Sequence, residues 1–154
     1  MKYNIRVLWE KKAEEKFTDN KYSRVHKWNF DGGAELVVSA SPHVVPLPMS
    51  DESAADPEEA FVAALSSCHM LFFLSIAASK NYIIETYEDN AEGVMSKNEN
   101  GKMVMTVINL KPKIIFSGTD IPSYDQIANM HKLAHSECFL ANSVKCEVKV
   151  IIDY

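Results

Sequence analysis

DPEEAFVAALSSCHMLFFLSIAASKN, residues 56–81, has the signals for both ends of a helix and no polar face between them. Asp56 is a good N-cap. Pro57 stands at the first helical position, where a missing N–H is harmless, and Glu59 can complete a capping box. Glu58 and Glu59 also set negative charge against the positive end of the helix dipole. From Ala60 the residues are apolar on nearly every face until Lys80-Asn81, where asparagine can cap the end. A helix apolar all round must be surrounded by protein. A chain of 154 residues has difficulty enclosing it alone, so part of the surface is expected to form a subunit interface. The stretch from Ala60 to Ala78 approaches membrane-span length. Ser66, Ser67, Cys68, His69 and Ser75 interrupt it, however, and no flanking positive charge or aromatic girdle accompanies it. The expectation is a buried core helix, with no membrane partner.

On either side of this helix the pattern changes to strands. Tyr3 to Trp9 alternate, and Ala34 to Ser39 read as a second strand after the turn Asp31-Gly32-Gly33. Ser41 to Ala55, with prolines at 42, 46 and 48, reads as a long loop of the kind that forms functional lids. Glu92 to Lys97 and Met103 to Phe116 read as strands, joined through Asn100-Gly101, the signature of a type I′ hairpin. Pro122-Ser123 opens a second helix running to about Cys138, with Tyr124, Ile127, Ala128, His131 and Ala134 on one stripe. From Val144 the tail alternates, with Val144, Cys146, Val148, Val150 and Ile152 on one side. Strands, helix, strands, helix, strand in that order describe one α+β domain over residues 1–154 with mostly antiparallel sheet.

Sixteen basic against twenty-one acidic residues leave a net charge of −5, which offers no footprint for nucleic acid or an anionic membrane. With five glycines in the chain, the phosphate and dinucleotide loops are absent. The alternating N-terminus is a strand and not a signal peptide, so a cytoplasmic location with reduced thiols is expected. Three cysteines is an odd number, which argues against a structural disulfide framework.

The cysteines hold the chemical interest. Cys146 lies on the apolar side of a strand and reads as a small core residue. Cys68 is midway along the first helix between Ser67 and His69, and Cys138 ends the second helix, a natural place for an accessible thiol. His69, His135 and Cys138 invite a metal reading, but Cys68 and His69 point about 100° apart on a helix, which makes joint ligation awkward. His26 and His131 read as solvated or hydrogen-bonded. Among fourteen lysines and two arginines, Arg24 precedes the aromatic run Trp28-Asn29-Phe30, read as a turn. A guanidinium beside a cysteine would lower the thiol pKa.

Asp56-Pro57-Glu58-Glu59-Ala60-Phe61 leading to Ser66-Ser67-Cys68-His69-Met70, followed by His135-Ser136-Glu137-Cys138 and Ala141-Asn142-Ser143, resembles the OsmC/Ohr family. This is the osmotically inducible and organic-hydroperoxide-resistance family of thiol peroxidases. The resemblance extends from the Arg24 region to the terminal strand. It implies an α+β, intertwined homodimer with antiparallel sheets packed around long central helices and two active sites at the subunit interface. It also implies a peroxidatic Cys68, a resolving Cys138, a thiolate-stabilising Arg24 and a Glu58 that holds the arginine, with no cofactor and no metal. A hydroperoxide, organic in preference, would be the substrate, and a dithiol such as a lipoylated protein the reductant. Ser67-Cys68-His69-Met70 and His26 to Gly33 resemble a less characterised branch of the family. Glu58 and Cys68 are ten residues apart, about 15 Å along a straight helix. For both to serve one site, either the helix breaks after its first turn or Glu58 comes from the other subunit. Two other readings are a non-catalytic dimer of the same fold that binds an apolar small molecule, and a metal-binding protein.

Overall fold

A computed structural model describes residues 1–152, and the chain forms two compact units, residues 1–60 and residue 61 onward. In the first, β1 (Ile5–Leu8), β2 (His26–Phe30) and β3 (Glu35–Val38) form an antiparallel meander, with Ile5 opposite Phe30 and Trp28 opposite Leu36. The two expected strands, Tyr3 to Trp9 and Ala34 to Ser39, are present in shortened form as β1 and β3. The run Trp28-Asn29-Phe30, read as a turn, is instead the body of β2. Its polar members pair across the sheet: Lys27 Nζ and Asn29 Nδ2 both reach the Glu35 carboxylate, at 2.7 and 2.8 Å. The real turn follows it, with Gly33 at φ 90°, where a side chain would strain the backbone.

The stretch between Ser41 and Ala55 lacks regular structure, as expected, but it is firmly tied. Ser39 donates its N–H to the Ala55 carbonyl at 2.9 Å, and its hydroxyl accepts from the Asp51 N–H at 3.0 Å. The Arg24 N–H reaches the Met49 carbonyl at 2.7 Å.

Helix α1 spans Pro57–Ser79 without interruption, and both expected ends are there. Asp56 Oδ1 accepts from the Glu59 N–H at 2.8 Å, and the Glu59 carboxylate accepts from the Asp56 N–H at 3.2 Å. At the far end Asn81 takes φ 62°, Tyr82 N–H bonds the Ala77 carbonyl and Asn81 N–H bonds the Ala78 carbonyl, a Schellman ending. The chain itself buries a single stripe of α1, namely Leu65, His69, Phe73 and Ala77, and Leu71 is 61% exposed. By length and composition α1 could cross a membrane, yet only 22% of its most apolar stretch is buried. The protein wall that an all-round apolar helix requires is therefore not supplied by one chain.

Four strands follow α1: β4 (Ile83–Asp89), β5 (Glu92–Lys97), β6 (Met103–Leu110) and β7 (Pro112–Ser117). β4, absent from the sequence reading, pairs antiparallel with β7. Its burial alternates weakly, because Glu85 and Glu88 share the exposed side with Ile83 and Thr86. Lys111-Pro112 divides what read as one stretch into β6 and β7. β5 and β6 form an antiparallel hairpin, and β8 (Glu147–Val150) lies parallel to β6. The hairpin turn is not type I′, since of Asn100 and Gly101 only the glycine has positive φ. The Asn98 side chain instead accepts from the Asn100 and Lys102 N–H groups, both at 3.0 Å, closing a three-residue loop with Gly101 left-handed. Helix α2 spans Tyr124–Glu137 behind a Ser123–Gln126 capping box, and a 3₁₀ turn follows at Ala141–Ser143. Its buried stripe is Ile127, Met130, His131 and Ala134, while Tyr124, expected on it, is exposed.

The second unit has two cores joined by α1. Leu65 packs with Ile108 and Leu110 of β6, and Phe73 and Ala77 pack with Ile114 of β7 and Ile127, Met130 and Ala134 of α2. Asp89 pins the junction, accepting from Ser66 Oγ of α1 and from the Lys111 N–H at 2.6 Å. β5 passes so close to α1 that a Cβ on Gly93 would lie 2.6 Å from Val62 Cγ2 and 2.7 Å from Met105 Sδ. Gly93→Ala is expected to cost about 1–3 kcal/mol by overpacking, measured as a lowered urea midpoint with an unchanged m-value.

Candidate active site

The end of α2 is where a buried thiol meets a half-buried one. Cys138 caps the helix in an extended conformation, donating its N–H to the Ala134 carbonyl at 2.9 Å. Asn142 folds back over it, its side-chain amide donating to the carbonyls of Ser136 and Cys138 at 2.9 and 3.0 Å. The turn so formed brings the Ala141 N–H to 3.4 Å from Cys138 Sγ. Cys138 is 1% exposed, the opposite of the accessible thiol expected at a helix end. Cys68, half-buried on the flank of α1, lies within hydrogen-bonding reach of it, and both are free thiols.

The two sulfurs are not equivalent. Burial, and after it the neighbouring Cys68 sulfur, push the Cys138 thiol up to about 11. Cys138 is therefore protonated at neutral pH, and Cys68 is the less buried of the two residues. Cys146 packs against the Leu65 core, with burial raising its pKa, as a core residue should.

One turn along the buried stripe of α1, His69 meets His131 of α2, with Nε2 of the first 2.9 Å from Nδ1 of the second. The rings are parallel to within 7°, and Phe73 covers His131 at 4.2 Å between centroids. Burial first, then His135, lowers His69 to about 4. Burial first, then His69, lowers His131 to about 3. The pair is neutral and shares one N–H. His69 Nδ1, His131 Nε2 and His135 Nδ1 remain buried without partners among the described residues. The sequence reading treated these histidines separately, because partners 62 residues apart leave no local trace. Among the described residues no group of three or more His, Cys, Asp or Glu is arranged to hold a metal ion.

Arg24 is engaged within its own segment. Its guanidinium donates to the Tyr22 carbonyl and to the carbonyl and side-chain oxygen of Asn20, and it lies 3.5 Å over the Tyr22 ring. Tyr22 stacks on Phe17, and both contact Trp9, which makes a rigid seat for the arginine. Glu58 is half-buried in the first turn of α1, and no ion pair joins it to Arg24 among the described residues. Because α1 is unbroken, Glu58 cannot approach Cys68 of the same chain.

Residues 50–153 match the family model described as OsmC-like protein. An OsmC-like protein of unknown function from Vibrio cholerae is 55% identical, with 99% of each chain covered and a TM-score of 0.98. An organic hydroperoxide resistance protein from Elizabethkingia anophelis is 18% identical (TM-score 0.69), with 99% of this chain and 97% of that chain covered. OhrB, the organic hydroperoxide resistance protein of Bacillus subtilis, is 14% identical (TM-score 0.68), with 99% and 98% covered. The last two likenesses are likenesses of fold. No match was found among curated proteins.

The buried histidines make stability depend on pH in a definite direction. Their folded values lie below the ordinary 6.5, so as pH falls the unfolded chain binds protons first. The stability of the neutral pair is fully present above about pH 6.5 and is lost as pH falls toward about 4 and then about 3. Urea unfolding between pH 7 and pH 5 is expected to show a loss of about 1–2 kcal/mol per histidine. Replacing both rings by phenylalanine should flatten that slope.

Proposed function

The chain belongs to the OsmC-like protein family, and on that premise we propose that it is a cysteine-based peroxidase reducing organic hydroperoxides to alcohols. The observation that carries this reading is the contact between a half-buried Cys68 and a buried, protonated Cys138. The names of the Elizabethkingia and Bacillus relatives, which share the fold, point the same way.

In this reading the Cys68 thiolate attacks the terminal oxygen of the peroxide. The O–O bond breaks, the alkoxide takes a proton and leaves as alcohol, and Cys68 becomes a sulfenic acid. The Cys138 sulfur then attacks the sulfenate sulfur, expelling water and forming a disulfide. A dithiol, a lipoylated protein being one such reductant, returns both cysteines to thiols and is itself oxidised to a disulfide. The raised Cys138 pKa suits this division of labour, since a protonated resolving thiol does not compete for the peroxide. Arg24 stabilises the Cys68 thiolate and Glu58 steadies the arginine. With α1 continuous, Glu58 serves the cysteine of a second copy, so the working unit is a homodimer with two interfacial sites. The uncovered apolar surface of α1 supports the same assembly.

Protein treated with one equivalent of cumene hydroperoxide should lose about 2 Da, mapped to a Cys68–Cys138 disulfide. Cys68→Ser should abolish peroxide consumption, while Cys138→Ser should stop after a single turnover with a trappable sulfenic acid. If the thiols stay reduced under excess peroxide, the peroxidase reading is wrong and the ligand-binding dimer takes its place.

The cross-subunit role of Glu58 has its own test. Glu58→Gln and Cys68→Ser homodimers should each be nearly inactive, and refolding them together should restore roughly a quarter of wild-type activity through one intact site per heterodimer. No recovery would place both residues in the same chain's site or remove Glu58 from the mechanism.

A further inference from the structure

Beside the two sulfurs, a second contact joins the same two segments of chain. Phe72 stands four residues after Cys68, on the same flank of α1, and Phe139 follows Cys138 directly. Their rings meet edge to face, with 5.0 Å between centroids and 89° between planes. We propose that Phe139 is a positioning residue. Its ring on Phe72 holds the Cys138 turn against α1 and so sets how readily Cys138 closes the disulfide with Cys68. The inference rests on the Cys68–Cys138 couple proposed above, and it is independent of which hydroperoxide oxidises it.

The way the turn is held carries the argument. Apart from the sulfur contact itself, its hydrogen bonds are internal. The Asn142 N–H donates to the Cys138 carbonyl at 3.1 Å, the Ser143 hydroxyl donates to the Phe139 carbonyl at 2.7 Å, and the Asn142 amide bonds were described above. These bonds shape the turn, but none of them reaches α1. Side chains dock it instead. Ala141 packs against the cluster of Leu65, Ile108 and Leu110, and Phe139 meets Phe72, which itself packs on the Phe73 cluster. Leu65 lies three residues before Cys68 and Phe72 four after it, so the two contacts bracket the sulfurs along α1. Phe139 is nevertheless 67% exposed. A ring so placed adds little to the buried core, while an edge-to-face pair is worth roughly two- to twelvefold in an equilibrium constant.

The consequence is chemical. A sulfenic acid on Cys68 has two fates. Cys138 attacks its sulfur, releasing water and closing the disulfide, or a second hydroperoxide transfers an oxygen to it, leaving as alcohol and producing a sulfinic acid. A turn held close raises the effective concentration of the Cys138 thiol at Cys68 and favours the first fate.

Phe139→Ala in the full-length protein tests the proposal, with Phe139→Tyr as the conservative variant. Equilibration with glutathione, in which each protein disulfide formed reduces one oxidised glutathione to two thiols, gives the effective concentration of the pair. It is expected to fall about three- to tenfold in Phe139→Ala and to recover in Phe139→Tyr. Under excess cumene hydroperoxide, the share of Cys68 carried to sulfinic acid, read as a gain of about 32 Da, should rise by a similar factor. Adding Phe72→Leu to Phe139→Ala should lower the effective concentration no further, because the ring contact is already gone. Since most of the ring is exposed, reduced Phe139→Ala is expected to keep the wild-type thermal transition, which separates positioning from general destabilisation. A wild-type disulfide whose equilibrium is indifferent to Phe139→Ala overturns the positioning role alone, as do additive losses in the double variant. A wild-type protein that forms no Cys68–Cys138 disulfide in either assay overturns the couple and the positioning role together.

Discussion

Leu65, His69, Phe73 and Ala77 recur once per turn of α1, and the second unit of the chain is assembled on them. Leu65 anchors the sheet of β5, β6 and β8, while Phe73 and Ala77 anchor α2 and the β4–β7 pair. His69 stands between the two cores. A buried imidazole with no partner would cost free energy, and His131 supplies the partner that makes its position tenable. This hydrogen bond sets α2 against α1 in one register. The register in turn carries Cys138, seven residues beyond His131, to the thiol of Cys68, one residue before His69.

The polar pairs at this helix crossing are held in definite protonation states by the same agent. Removal from water keeps the imidazoles neutral and the Cys138 thiol protonated. Cys68 lies beside the buried stripe, about 60° around α1 from Leu65 and about 100° from His69, and is only half-buried. An asymmetric thiol pair thus follows from helical geometry, with one sulfur on the flank of a helix and the other beneath a capping turn. The same geometry leaves much of α1 uncovered by its own chain.

Legibility in the sequence followed the range of the interactions involved. Both ends of α1 could be read because capping is local: Asp56 with Glu59 at the start, Asn81 at the close. The alternation of residues 144–152 likewise survived into the structure. β2 was misread because its polar residues look like loop chemistry until Glu35 appears across the sheet, and β4 because its glutamates share a face with Ile83. The Asn100-Gly101 turn took another form because Asn98, outside the dipeptide, captured two backbone N–H groups. In each case a contact with a residue outside the motif outweighed the local preference.

The sequence by itself determined the long capped apolar helix, the α+β order of elements, the family and the two cysteines worth attention. These rest on local signals: capping chemistry, periodicity and short motifs. Only the tertiary structure decided that the Cys138 thiol is buried and its pKa raised, that His69 and His131 form one neutral pair, and that α1 is continuous past Glu58. Burial and long-range partnership are properties of the packed chain. A residue's pKa or hydrogen-bond partner depends on which distant segments exclude water around it, and no local pattern encodes that.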